Sequence, residues 1–396
     1  NVENLKQGAL KSVEIVRKDT EMSRNQTFDA WLGEFRGSHL GRYSADFLDG
    51  VFSDINFLSE ILEKDRNQAE MTLNTGQYIE RLCSRDRLIK GQTAYTKWSD
   101  VLTKVEQAYG VERNILLAIW GIETSYGTTR GEIPTLSALA TLAFDGRRRQ
   151  FFEAELSAAI EILHESARFS SQFKGSWAGA MGHVQFMPST YLNHAVDFDG
   201  DGIADIWSDS PIDALASAAS YLSYHGWIPS LPWGSLVKLP RHFDYALTAP
   251  NIRKSVSEWV DIGLNNLPDN RDAMGSLILP MGATGPAFWI NDNFDALKRY
   301  NNSNSYALSV GLLSNAFTTN EYCHLQWPTN IKALSKTDMK TLQTQLTEQG
   351  FDTKGSDGIF GPNTELAIRA FQKRNAMIED GFPSLGLLEH LRKNQQ

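Results

Sequence analysis

The sequence predicts a mainly α-helical protein that carries a small strand-rich insertion and a separate three-helix module at its C-terminal end. Apolar residues recur at helical spacing through most of the chain up to about position 233. Short apolar runs punctuated by Pro, Gly and Asn replace that pattern between about 234 and 290. After a polar linker, capping and turn signals divide the remaining residues into three short helices.

Residues from about 5 to 110 read as helical support, with Phe28, Trp31, Leu32 and Phe35 at 3.6-type spacing. The helical pattern continues from 111 to 233, interrupted by glycine-rich and aromatic-rich loops, the usual carriers of ligand contacts. Within it, Val111 to Ile122 is apolar almost all the way round and runs into a single carboxylate, Glu123. A helix without a polar face belongs inside its domain. Desolvation and the negative end of the helix dipole then both hold a proton on Glu123 near neutral pH, the state a general acid needs. The segment alone fits equally well a Glu that marks where the helix reaches solvent.

In the insertion, 234–290, Leu236-Val237-Lys238-Leu239 and Leu277-Ile278-Leu279 are the strand candidates. Helical character returns over 291–316, and a linker with Pro328 and Asn330 spans 317–333. In the module 334–396, Ser335 pairs with Asp338 as a capping box, and Met339, Leu342 and Leu346 mark the buried side of the first helix. A turn at Asp357 to Gly361 precedes a helix with Ala367, Ala370 and Phe371, and Ser384 caps a third with Leu387, Leu388 and Leu391.

A length of 396 residues allows two or three domains, and no run approaches the roughly 18 apolar residues that span a bilayer. The net charge of -9 argues against a nucleic-acid partner, since no basic stripe remains for a phosphate backbone. The chain begins at Asn, which suggests a processed or truncated start, and leaves open a signal peptide or lipid anchor upstream. Cys83 and Cys323 form either one disulfide or two buried thiols.

Three further segments carry chemistry. Gly175 to Pro188 combines small residues at 175, 178, 179 and 180 with Ser176, Trp177 and Gln185. Close backbone approach, a hydroxyl, an amide and a flat apolar ring suit a sugar, though a glycine-rich loop packed for structural reasons reads the same way. Asp197, Asp199, Asp201 and Asp205 stand at positions 1, 3, 5 and 9 of a calcium-type loop, with Gly202 at position 6 and the carbonyl of Ile203 at position 7. Ser208 replaces the closing acid at position 12, which leaves Asp213 as the nearest candidate for a structural calcium site. Arg147, Arg148 and Arg149 read either as a solvated helix face or as guanidinium groups for a substrate carboxylate.

Taken together, GIETSYG, GSWAGAMGHVQFMPSTY, DFDGDG and Arg299-Tyr300-Asn301 resemble the B family of bacterial lytic murein transglycosylases over about residues 20 to 315. Leu342-Gln343, DGIFGPNT at Asp357 to Thr364 and Phe371-Gln372 resemble a peptidoglycan-binding module. The resemblance implies a lysozyme-like helical catalytic core (111–233 and 291–316) with an added N-terminal helical domain within one catalytic module, 1–316. It places the catalytic acid on Glu123, substrate contacts on Ser176, Gln185, Tyr221, Tyr300 and Asn301, and Arg148 and Arg149 near lactyl or peptide groups. Phe152 stands where some relatives have tyrosine.

It further implies non-hydrolytic cleavage of the β-1,4 bond between N-acetylmuramic acid and N-acetylglucosamine, closing a 1,6-anhydro ring without a cofactor in the chemistry. A periplasmic monomer acting on glycan strands and stem peptides, with cell-wall synthesis proteins as partners, follows from the same likeness. The alternatives are a hydrolytic muramidase, with Asp145 or Glu153 as a second acid, and a non-catalytic wall-binding protein. An amidase is disfavoured because the eight histidines show no zinc-type clustering.

Overall fold

The computed structural model describes residues 27–68, 73–166, 172–322 and 324–393, so Cys323 and the N-terminal part of the expected helical region lie outside it. The chain divides into two compact units, one gathering the described residues up to Arg66 with Arg130–Asn193 and Ile206–Asp209, the other made of the remainder.

In the first unit, helix 27–37 buries Phe28 and Leu32, and the Phe28 ring meets Phe57 at 5.4 Å and Phe144 at 5.5 Å between centroids. Helices Thr135–Asp145 and Arg149–Glu165 pack against each other. The former is buried on nearly every side, and its hydroxyls are used internally: Asn56 N donates to Ser137 Oγ and Leu58 N to Thr141 Oγ1, both at 3.0 Å. Buried hydroxyls with such partners cost little, and here they anchor the loop before helix Ser59–Gln68. Strands β1 (Ile133–Pro134) and β2 (Lys174–Gly175) form a short antiparallel pair.

In the second unit, helix Arg113–Thr124 packs against Arg85–Tyr109 and Asn304–Thr319. Ile115 through Gly121 are all buried, as a segment without a polar face requires. The insertion contains β3 (Gly234–Val237), β4 (Lys254–Ser255), β5 (Met274–Ile278) and β6 (Ala287–Ile290) in the antiparallel order β3-β6-β5-β4. The first strand candidate therefore begins two residues earlier, and Lys238 and Leu239 leave the sheet. Trp289, opposite Ser235 on one side and Leu277 on the other, is fully buried with Trp259. Trp259 lies on helix Val256–Ile262, an element absent from the sequence reading, which begins in a capping box of Ser255 and Glu258. Among the described residues no helix is long and apolar enough to cross a membrane. Cys83 is buried, its thiol donating to Ser309 O at 3.3 Å.

The C-terminal helices are Lys336–Glu348, Pro362–Arg374 and Leu385–Lys393, packed around Leu342, Leu346, Ile368, Phe371, Leu388 and Leu391. Gln343, nearly fully buried, clamps the Asp357 to Gly361 turn: its Oε1 accepts from Gly358 N at 2.8 Å and its Nε2 donates to Ile359 O at 3.0 Å. The module also docks on the insertion through Arg369, 6% exposed. Its guanidinium donates to Thr248 O at 2.9 Å and Thr248 Oγ1 at 3.0 Å in the insertion, and to Glu365 Oε1 at 2.8 Å and Glu379 O at 2.5 Å within the module. Asp380 Oδ2 accepts from Ala283 N across the same contact at 2.9 Å.

Removing one member of such a network leaves the half-buried Glu365 carboxylate and several carbonyls without their donor. Arg369→Ala should lower unfolding stability by about 3–5 kcal/mol, read as a reduced urea midpoint; a change within experimental error would show that the contact holds nothing together.

Candidate active site

The sequence places Glu123 on the last turn of helix Arg113–Thr124, and the backbone stops the helix immediately beyond it. Ser125 and Tyr126 both take left-handed conformations, with φ of 49° and 59°, a cost of order 1 kcal/mol or more each for side-chain-bearing residues. Two contacts hold them there. Tyr126 OH donates to Arg87 O at 2.7 Å, and its ring lies so close to Gly121 that a Cβ there would meet it at 2.6 Å. Gly121 thus lets the chain fold back on its own helix, which fixes where Glu123 points.

Tyr306, 2% exposed on the first turn of Asn304–Thr319, donates its hydroxyl to Glu123 Oε1 at 2.6 Å. Although Glu123 retains some accessible surface, the protein packed around its carboxyl pushes the pKa up to about 7, and the Tyr306 hydrogen bond only partly opposes this. The charged groups felt by the surrounding phenols lead back to the same carboxyl: Tyr78, Tyr300 and Tyr306 all have raised pKa values, from burial first and from Glu123 next. Tyr300 stacks on Tyr306 at 6.4 Å and meets Tyr221 at 5.2 Å, and Tyr221 OH donates to Arg299 O at 2.5 Å. Tyr221, Tyr300 and Glu123 are therefore joined through Tyr306, which the sequence reading did not single out, as it also passed over Tyr78. Asn301 follows as the exposed C-cap of helix Asp292–Tyr300.

Ser176 and Gln185 lie on one loop of the first unit, closed by the Gly175–Met181 and Met181–Phe186 bridges. Ser176 Oγ accepts from Ala180 N at 3.1 Å and Ala178 N at 3.3 Å. Gln185, at φ 54°, donates through Nε2 to Gly182 O at 2.9 Å and Arg130 O at 3.1 Å, a fixed amide in a tight turn. In the arginine cluster, Arg147 pairs with Asp65 and Asp145. Arg148 lies over the Phe151 ring at 4.2 Å, and Arg149 is exposed with a bond to Phe144 O at 3.4 Å. Phe152 is buried. The rival second acids are engaged: Asp145 with Arg66 and Arg147, and Glu153 with the Trp31 indole at 3.4 Å.

The acidic loop folds on itself. Asp197 Oδ2 accepts from Gly202 N at 2.8 Å and its Oδ1 from Gly200 N at 2.8 Å, while Asp201 Oδ1 accepts from Ile203 N at 3.0 Å. Asp213, 3% exposed, accepts from Phe198 N at 2.8 Å and from Asp205 N at 2.9 Å. Carboxylate oxygens of Asp197, Asp199 and Asp213 all lie within 4.8 Å of one another. Hard oxygen donors gathered at this spacing, one of them buried, suit a divalent cation such as calcium.

Against known proteins, residues 27–315 match the model of the transglycosylase SLT domain. The chain belongs to this family. Residues 335–391 match a peptidoglycan binding domain. The crystal structure of SltB3 from Pseudomonas aeruginosa in complex with NAG-anhNAM-pentapeptide is 41% identical, covers 92% of this chain and 99% of that one, and superposes with a TM-score of 0.88. The SLT35 lytic transglycosylase of Escherichia coli in complex with calcium is 30% identical, covering 73% and 93%, with a TM-score of 0.62. Membrane-bound lytic murein transglycosylase B of Escherichia coli K12 is 34% identical over 248 residues, 61% of this chain and 66% of the relative's own length. The mainly helical lytic transglycosylase fold and the helical C-terminal domain expected from the sequence are both present.

The raised Glu123 pKa makes stability pH-dependent in a definite direction. The native state binds this proton more tightly than the unfolded chain, so the stabilisation is whole below about pH 4.5 and is lost as pH rises through about 7. The difference is about 3 kcal/mol. Glu123→Gln, which cannot ionise, should therefore be more stable than the parent at pH 8.5 and lose that advantage at pH 4 in urea titrations; equal differences at both pH values would show that the carboxyl is not held neutral.

Proposed function

We infer that this member of the lytic transglycosylase family cleaves peptidoglycan between N-acetylmuramic acid and N-acetylglucosamine, with Glu123 serving first as acid and then as base. The observation that carries the reading is a carboxyl with a pKa pushed up to about 7, hydrogen-bonded by a phenol. Near neutral pH such a group is divided between the two forms that the two halves of the reaction need.

In the first half, protonated Glu123 gives its proton to the bridging oxygen, and the N-acetylglucosamine leaves with that oxygen as a hydroxyl. The carbonyl oxygen of the muramyl N-acetyl group bonds to C1 as the glycosidic bond breaks and carries the developing positive charge. In the second half, the Glu123 carboxylate removes the proton from the muramyl C6 hydroxyl. O6 then attacks C1 and displaces the acetamido oxygen, which leaves a 1,6-anhydro ring and a reprotonated Glu123. No water is consumed. A two-carboxylate hydrolase would need a second acid to position water, and the groups that sense Glu123 are phenols instead.

Tyr221, Tyr300 and Asn301 are assigned to a saccharide of the glycan strand, Ser176 and Gln185 to hydroxyl and acetamido groups of that strand, and Arg148 and Arg149 to lactyl or stem-peptide carboxylates. The module 334–396 holds the polymer, with 317–333 as linker, and the protein works in the periplasm as a monomer. Incubation with purified sacculi should release muropeptides one water lighter than hydrolytic products by mass spectrometry, and Glu123→Gln should abolish release while sacculus binding persists. Products with free reducing ends would make the protein a hydrolase, and substantial lysis by the variant would remove Glu123 from the chemistry.

Calcium is assigned to Asp197, Asp199 and Asp213, with Asp201, Asp205 and the Ile203 carbonyl completing the loop. Its role there is to neutralise repelling carboxylates, and it takes no part in bond cleavage. Calcium should raise the thermal midpoint, and Asp197→Asn should abolish the increment; a midpoint indifferent to calcium and chelator alike would exclude the site.

A further inference from the structure

The rings beside Glu123 do not end at Tyr221. Its ring meets His225 at 4.4 Å and His194 at 5.0 Å between centroids, and both imidazoles meet Tyr224, at 5.1 Å and 4.8 Å. Tyr224, the last residue of helix Ile212–Tyr224, is 75% exposed, the most exposed large hydrophobic residue among those described. The two imidazoles meet it edge to face, at interplanar angles of 60° and 90°, so the plane of this exposed ring is braced from two directions. A freely solvated tyrosine on a helix end has no such bracing. Burial lowers the pKa of both histidines, which keeps the cluster uncharged near neutral pH.

We propose that Tyr224, braced by His194 and His225, is an outer saccharide subsite that stacks on an N-acetylhexosamine ring of the glycan strand beyond the residues flanking the scissile bond. Its continuity with the Glu123 site selects this occupant. An unbroken series of ring contacts runs from Tyr306 through Tyr300, Tyr221 and the two imidazoles to Tyr224, and a linear polymer held at one end of it is led along the other. A rigid, neutral aromatic surface matches the C–H face of a pyranose, and adjacent imidazole nitrogens supply hydrogen-bonding capacity at the ring edge. The inference rests on the function proposed above.

The test uses the full chain carrying Glu123→Gln, so that substrate survives, and peptide-free strands of alternating N-acetylglucosamine and N-acetylmuramic acid, separated as tetrasaccharide and octasaccharide. Adding Tyr224→Ala should weaken octasaccharide binding about threefold to tenfold in calorimetry and leave the tetrasaccharide within about twofold. Tyr224→Phe, which keeps the ring, should bind as the parent does, and an unchanged thermal midpoint in each variant shows that the fold is intact. Equal affinities of the Ala variant and parent for the octasaccharide, or equal losses on both lengths, would overturn the outer subsite. Failure of the Glu123→Gln protein itself to bind either strand would instead overturn the functional reading beneath it.

Discussion

The site depends on keeping one carboxyl group where water stabilises its charge poorly while still aiming it. Raising its pKa from 4.5 to about 7 corresponds to about 3 kcal/mol against the ionised form. Burial of a single leucine or isoleucine side chain is worth about 1.5–3 kcal/mol, so the apolar helix from Ile115 to Trp120 offsets the cost several times over. The same residues that make the environment unfavourable for charge make the helix stable enough to carry it. The left-handed pair Ser125 and Tyr126 adds backbone strain at the same place, which the Tyr126 contacts with Arg87 and Gly121 hold in position.

The choice of neighbours matters as much as the burial. An arginine at hydrogen-bond distance would draw a carboxyl pKa down by about 1–3 units and leave an ion pair in place of an acid. Tyr306 donates one neutral hydrogen bond, strong enough to orient Oε1 and too weak to cancel desolvation. Tyr300 and Tyr78 surround the group without introducing a charge, their own phenols being held protonated by burial and by Glu123. The acid-then-base role proposed for Glu123 is served by such surroundings.

Much of this was legible in local pattern. The all-round apolar run before Glu123, the Asp-x-Asp-x-Asp-Gly spacing and the Ser335–Asp338 capping box each encode structure within a few residues, where sequence separation and spatial separation are nearly the same. Tyr306 was not legible as a site residue, because its bond to Glu123 joins positions 183 apart and a tyrosine near a helix start carries no mark of what it faces. Asp213 was read only as a candidate, since nothing in the spacing shows that its oxygens turn back to the amides of Phe198 and Asp205. Helix Val256–Ile262 was hidden for a different reason: at seven residues it is too short to build a periodic signal above the surrounding strands.

The sequence by itself determined the mainly helical class, the family motifs and the identity of the one acid set on an apolar element, because periodicity, caps and turn residues act over short range. Tertiary structure decided between the protonated acid and the solvent-facing Glu that the sequence left open, and set the company it keeps. The phenols around Glu123, the closing of the acidic loop by Asp213 and the docking of Arg369 on Thr248 all join residues distant in the chain. A pKa depends on what surrounds a group from every side, and only the folded chain brings those surroundings together.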